Sequence, residues 1–261
     1  MFQLDPKKFF IISGPCVAES QKVCFEVAET LAGIRKELGV QVIFKASYIK
    51  ANRSSTGSYR GPGMKEGLKL LESVKNKFDL PVLTDIHETI EVKPVSKVVD
   101  VLQIPAFLSR QTALLEEAAK TKNWINIKKG QFLAPWDMNN VVEKVISKGN
   151  KKVLVTERGS CFGYNNLVVD YRGIILMLRA KHHVVFDATH SVQLPSAQGK
   201  TSGGDRTLAP HMAYAAAAVG VKGFFFETHP NPEKALSDGP NSVYLKDMDP
   251  IIRKLLFLCA S

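Results

Sequence analysis

Eight short apolar runs recur along the chain, each separated from the next by a longer amphipathic stretch. The runs are Phe9 to Ser13, Val40 to Lys45, Pro81 to Asp85, Val99 to Gln103, Trp124 to Lys128, Val153 to Glu157, Val184 to Asp187 and Gly223 to Glu227. They are rich in β-branched and aromatic residues and lack the alternation of a half-exposed strand, which is the pattern of parallel strands buried on both faces. Between them, apolar residues at three-to-four spacing predict helices over Glu19 to Leu38, Met64 to Phe78, Thr112 to Thr121, Asp137 to Ser147, Asn165 to Arg179 and Asp205 to Val219. Thr89 to Lys97 contains Pro94 and allows only a short helix. Eight strands alternating with helices predict an α/β chain folded as a (β/α)8 barrel, one domain over residues 1–261. An open doubly wound sheet is the fallback. It usually has fewer strands and a glycine fingerprint after the first, and Gly14-Pro15-Cys16 is not one.

Composition removes other classes. With 45% hydrophobic and 23% charged residues the chain is neither disordered nor fibrous. No apolar run approaches the roughly 18 residues of a membrane helix, and the start does not read as a signal peptide, so a cytoplasmic location is expected. The four cysteines, Cys16, Cys24, Cys161 and Cys259, form no CxxC pair and predict no disulfide framework. A net charge of +10, from 35 basic and 25 acidic residues, suits anionic partners. The lysines form no long run and have no interleaved aromatics. Phosphorylated small molecules are therefore expected, with no nucleic acid and no membrane as partner.

In a barrel, active sites lie at the C-terminal ends of the strands. There the sequence places Lys45, Lys50, Arg53, Lys128 and Arg158. Any one of these could simply mark a chain returning to water. Five converging cations repel one another unless anions neutralise them, so substrates carrying phosphate or carboxylate are expected. A second constellation is Cys16, His190, Glu227 and Asp238, from strands one, seven and eight. Thiolate, imidazole and carboxylates together suit a divalent transition metal such as Zn, Mn, Fe or Co. The plainer alternative is a buried structural cysteine, a hydrogen-bonded histidine and solvated carboxylates. The glycine-rich loop Ser191 to Gly204 is read as a lid or as an ordinary surface loop.

Four stretches carry a family resemblance: Lys45-Ala46-Ser47-Tyr48-Ile49-Lys50-Ala51-Asn52-Arg53-Ser54-Ser55, Gln103 to Thr112, Asn126-Ile127-Lys128-Lys129-Gly130-Gln131-Phe132 and Phe186-Asp187-Ala188-Thr189-His190-Ser191-Val192-Gln193. In this order they resemble the 3-deoxy-D-manno-octulosonate 8-phosphate synthases, and the match runs from Ser13 to about Asp238. The resemblance implies a barrel, assembled as a homo-oligomer, typically a tetramer, that condenses phosphoenolpyruvate with D-arabinose 5-phosphate and water for lipopolysaccharide synthesis. It implies that Lys45, Lys50, Lys128 and Arg158, with Gln131 nearby, bind phosphoenolpyruvate. Asn52, Arg53 and Ser54 would hold the sugar phosphate, and Arg110 would reach the sugar phosphate of a neighbouring subunit. It implies Cys16, His190, Glu227 and Asp238 as metal ligands, and Lys50, Asn52, His190 and Asp238 as the residues closest to catalysis. Cys16 stands where the metal-independent branch has asparagine, whereas Gly239-Pro240-Asn241 resembles that branch and implies a weaker dependence on metal. The alternatives are a 3-deoxy-D-arabino-heptulosonate 7-phosphate synthase, a Schiff-base aldolase using Lys128 or Lys45, and a non-enzymatic phosphate- or RNA-binding protein. The first carries a Lys-Pro-Arg-Thr type motif where this chain has Lys50-Ala51-Asn52-Arg53-Ser54.

Overall fold

The computed structural model describes residues 2–52, 57, 59–195 and 203–260. All eight expected strands are present: β1 (Phe10–Gly14), β2 (Gln41–Lys45), β3 (Val82–Asp85), β4 (Val101–Ile104), β5 (Trp124–Lys128), β6 (Val153–Glu157), β7 (His183–Asp187) and β8 (Gly223–His229). Each pairs in parallel with the next, and β1 closes on β8 with Phe10 opposite Gly223 and Gly14 opposite Glu227. The result is a (β/α)8 barrel. Gly14 allows the closest approach at its rim, because a Cβ there would lie 2.0 Å from the Lys45 carbonyl oxygen.

The helices are α1 (Gln21–Leu38), α2 (Met64–Phe78), α3 (Thr89–Ser96), α4 (Thr112–Ala119), α5 (Asp137–Ile146), α6 (Tyr171–Arg179), α7 (Ala209–Ala218) and α8 (Met248–Ala260). Three start later than the spacing predicts. Ser20 caps α1 by accepting from the Val23 amide at 3.2 Å. Asp170 caps α6, and the preceding residues form a small hairpin, Ser160–Cys161 against Leu167–Val168. Asn165, within that hairpin, has φ +52°, which an α-helix does not allow. Strand eight is longer than expected, and its end pairs with Val243–Tyr244. Helix α8 was not among the expected elements. Met248, Ile251, Ile252 and Leu255 form its buried stripe.

Two cores follow from the alternation of the strands. Outward side chains such as Ile11, Phe44, Ile125 and Phe224 meet the helices. Inward ones, Phe10, Ile12, Ile43, Leu83, Val101, Trp124, Leu154, Val185 and Phe225, fill the lower barrel, and Leu4 packs against them. Each such side chain contributes roughly 1.5–3 kcal/mol when fully buried. Above Phe225 the interior turns polar, with Lys45, Asp85, Gln103, Lys128 and Glu227 on strands whose lower halves are anchored in this packing.

Charge is distributed unevenly. Arg35 and Lys36 close α1, Lys75 and Lys77 close α2, and Lys93, Lys144 and Arg179 close α3, α5 and α6. Lys97, Lys122, Lys148, Lys151, Lys152, Lys181 and Lys222 follow in the connections to the next strands. Most of these cations sit at or just beyond helix C-termini, whose dipoles they complement, while the Lys144 side chain turns back to donate to Thr112 Oγ1 at 2.8 Å at the start of α4. Among the described residues no helix is long and apolar enough to cross a membrane, and all four cysteines are free.

Candidate active site

The strand ends enclose a cavity of about 830 Å³ lined by Lys45, Lys50, Asn52, Lys128, Gln131, Arg158, His190, Glu227 and Asp238. Phe225 lies beneath two of its cations: Lys128 Nζ is 3.7 Å above the ring centroid and Lys45 Nζ 5.6 Å from it. Arg53 and Ser54 lie outside the described residues. Arg110 is exposed and does not line the cavity of its own chain.

The cations do not stand as an uncompensated cluster: buried carboxylates of the chain itself neutralise part of their charge. Lys45 donates to Glu227 Oε1 at 2.9 Å and to the Cys16 carbonyl at 3.0 Å, and Lys50 Nζ is 3.8 Å from the same Glu227 oxygen. Lys128 donates to Asp187 Oδ2. Glu227 and Asp187 are completely buried. Burial opposes their ionised forms, yet Lys45, Lys50 and His190 hold the Glu227 carboxyl well below the usual range. His190, Lys128 and Arg158 do the same for Asp187. Burial also lowers the Lys128 and Arg158 values despite their acidic neighbours, so both cations are poorly hydrated and ready to take an anion.

Three of the four expected metal ligands converge. Cys16 Sγ, an oxygen of Glu227 and an oxygen of Asp238 lie within 4.8 Å of one another, and Cys16 Sγ donates to Asp238 Oδ2 at 2.9 Å. His190 stands just outside this triangle, its Nε2 3.8 Å from Glu227 Oε2. Its other nitrogen, Nδ1, lies 2.8 Å from Asp187 Oδ2. A carboxylate behind a histidine fixes the ring and leaves Nε2 free to ligate. Glu227 Oε2 is buried and has no hydrogen-bond partner, an orphaned oxygen costly to keep unless something binds it. The soft thiolate, imidazole and two carboxylates fit a transition ion on these grounds.

Asp187 and Gln193 were missed as functional residues. Arg158 donates to Gln193 Oε1 at 2.9 Å, and Gln193 Nε2 donates to Asp238 Oδ1 at 3.3 Å. The Asp187-x-x-His190 spacing was the available signal, since Asp187 caps the single helical turn Ala188–Ser191 and accepts the His190 amide at 2.9 Å. His87 lines the mouth, while His229 pairs with Glu19 at 2.9 Å. At the loop read as a lid, Gln193–Leu194 pairs with Gly203–Gly204, and residues 196–202 lie outside the described part.

A family model described as the DAHP synthetase I family matches residues 4–255. Curated relatives include the 2-dehydro-3-deoxyphosphooctonate aldolase of Geobacter sulfurreducens, 52% identical over 94% of this chain and 90% of its own length. Those of Fusobacterium nucleatum (53% identical, 95% and 89% covered) and a Cyanothece species (53%, 97% and 92%) carry the same name. That name is the second one in use for the synthases whose motifs the sequence resembles. The chain belongs to the DAHP synthetase I family and, within it, to the 2-dehydro-3-deoxyphosphooctonate aldolases.

Proposed function

We propose that the protein condenses phosphoenolpyruvate with D-arabinose 5-phosphate and water to 3-deoxy-D-manno-octulosonate 8-phosphate and inorganic phosphate, supplying lipopolysaccharide inner-core sugar. The observation that carries this reading is the convergence of Lys45, Lys50, Lys128 and Arg158 on one cavity whose wall includes Asn52. C3 of phosphoenolpyruvate forms the new bond to the sugar aldehyde, whose oxygen takes a proton. C2 becomes electron-poor and water adds to it, losing a proton. The resulting hemiketal phosphate expels phosphate by C–O cleavage and leaves the ketone. Lys128 and Arg158 hold the phosphate and carboxylate, and Lys50 stabilises negative charge as it shifts. A divalent transition ion, Zn, Mn, Fe or Co, held by Cys16, Glu227, Asp238 and His190, supplies Lewis-acid polarisation of an oxygen when bound. His190 and Asp238 are ligands first and proton carriers second. We place the enzyme in the cytoplasm as a homo-oligomer, a tetramer in which the exposed Arg110 serves a neighbouring subunit.

The sugar is the discriminating test. Phosphate release from phosphoenolpyruvate should show kcat/KM at least about tenfold higher with arabinose 5-phosphate than with erythrose 4-phosphate, the equivalent of about 1.4 kcal/mol. Equal or reversed values defeat the assignment.

Arg158 tests the anion site. A lost charge-assisted contact costs about 1.5–3 kcal/mol, so Arg158→Ala should lower kcat/KM for phosphoenolpyruvate by roughly tenfold or more. Near-normal kinetics in that variant would contradict the role.

A further inference from the structure

One train of buried hydrogen bonds crosses half of the barrel and has no task in the chemistry above. Thr156 Oγ1 donates to Asn126 Oδ1 at 2.7 Å, Asn126 Nδ2 donates to Gln103 Oε1 at 2.8 Å, and Gln103 Nε2 donates to Asp85 Oδ1 at 2.5 Å. The Ser47 hydroxyl donates to the second Asp85 oxygen. The parallel register makes the train possible. Asp85 pairs with Gln103 on the adjacent strand, and Gln103 with Asn126 on the next, so three inward side chains stand abreast. Ser47, Asn126 and Thr156 are 0% exposed and Gln103 is 2% exposed. Asp85 and Gln103 line the cavity, whereas Ser47, Asn126 and Thr156 do not.

The train has a direction. Both amides accept at oxygen and donate at nitrogen, so their dipoles add with the positive ends toward Asp85. Burying two amides and a hydroxyl costs desolvation that aliphatic side chains, as used throughout the lower barrel, would avoid. The connected network is therefore a specific investment in one carboxylate. The charged and titratable groups facing Asp85 are Lys45 and Lys50, from β2 and the connection after it, and His87 from its own loop. Burial opposes ionisation of Asp85, yet these three groups and the Ser47 hydroxyl hold its carboxyl far below the usual range. In a cavity that otherwise offers cations to anionic groups, a fixed carboxylate repels phosphate. What it can accept is an O–H.

Resting on the function proposed above, we infer that Gln103, backed by Asn126 and Thr156, is a positioning residue that aims Asp85 as an acceptor toward a substrate O–H, a sugar hydroxyl or a water, in the cavity.

The test combines three variants. Gln103→Met removes the donor at similar volume, Gln103→Glu replaces it with a like charge while still accepting from Asn126, and Thr156→Val cuts the far end of the train. The carboxyl titration of Asp85 is followed by 13C NMR of enzyme labelled at aspartate carboxyls, with the signal assigned by its loss in Asp85→Asn. In parallel, kcat is measured against pH and KM for phosphoenolpyruvate is determined. Both Gln103 variants should raise the Asp85 titration and the acid limb of kcat together by at least about one pH unit, a tenfold change in the protonation equilibrium. KM for phosphoenolpyruvate should stay within about twofold, and Thr156→Val should move both limbs less. An Asp85 titration that does not move, or an acid limb that does not follow it, overturns the inference. So does a lower Tm with neither shift, which makes the train packing alone. Because the NMR titration needs no turnover, wild-type enzyme that fails to condense the two substrates sinks the functional reading and leaves the Asp85 result to be judged separately.

Discussion

Asp187→Asn is expected to cost about 3–5 kcal/mol of folding stability, the scale on which a buried ion pair loses one partner. The substitution keeps the size and the acceptor that caps Ala188–Ser191, so the loss is that of charge. Lys128, 6% exposed, is then left without its counter-ion, and His190 Nδ1 loses the carboxylate behind it. The pH dependence has a definite sign. The folded Asp187 carboxyl is depressed because His190, Lys128 and Arg158 outweigh its burial. Its contribution is thus fully present above the unfolded value of about 3.9 and is lost as the pH falls toward the folded value. Denaturant titrations of wild type and variant should differ most at neutral pH and less at pH 3. The double variant Lys128→Met/Asp187→Asn should recover much of the stability, since removing both charges removes the uncompensated one. A gap that is the same at both pH values, or a double variant no more stable than the single one, would sink this account of the pair.

The second large effect concerns Cys16. Purified active enzyme should contain a divalent transition metal by elemental analysis. Strong chelators should lower its rate by at least about tenfold, and Mn, Co, Zn and Fe should restore it to different extents, because an ion bound there would supply charge stabilisation of several kcal/mol. Cys16→Asn should keep measurable activity and lose its response to chelator. The amide can donate to Asp238 Oδ2 where the thiol now does, and Gly239-Pro240-Asn241 already supplies the turn that resembles the metal-independent branch. That turn is built on Asp238 itself, at φ +47°, with the Asn241 and Ser242 amides bonded back to its carbonyl at 3.1 and 3.0 Å. Cys16→Ala, with neither thiolate nor amide, should do worse. Active enzyme free of metal and indifferent to chelators would end the metal assignment.

The barrel was legible because each strand is a compact β-branched run ending in polar residues, and that pattern depends on local sequence alone. The hairpin before α6 was not, since Leu167, Val169 and Tyr171 mimic helical spacing until the backbone at Asn165 is known. Helix α8 was overlooked although its stripe is regular, because attention to the strand ends stopped at Asp238. The residue types at the site were readable, but their pairing was not. Lys45 and Glu227 lie 182 positions apart, and only closure of β1 on β8 shows that the mouth carries its own counter-ions. Cys16, Glu227 and Asp238 were named together from sequence and do converge, but sequence could not show that His190 stands beside them with Asp187 on its other nitrogen. The Asp85 train was invisible for the same reason: it is a property of register, which appears only when the strands are laid side by side.

The pairing of charges at both ends of the barrel limits how far the molecule's field reaches. At the mouth, Lys45, Lys50 and Lys128 are matched by Glu227 and Asp187, and on the opposite face Arg35, Lys75 and Lys148 are paired with Asp79, Asp100 and Glu116. Beyond a Debye length, about 8 Å at physiological ionic strength, exposed charges on either face are largely screened. For a diffusing phosphorylated metabolite, electrostatic guidance toward the entrance begins only at short range. Capture by this enzyme is therefore governed by contact inside the cavity rather than by long-distance attraction.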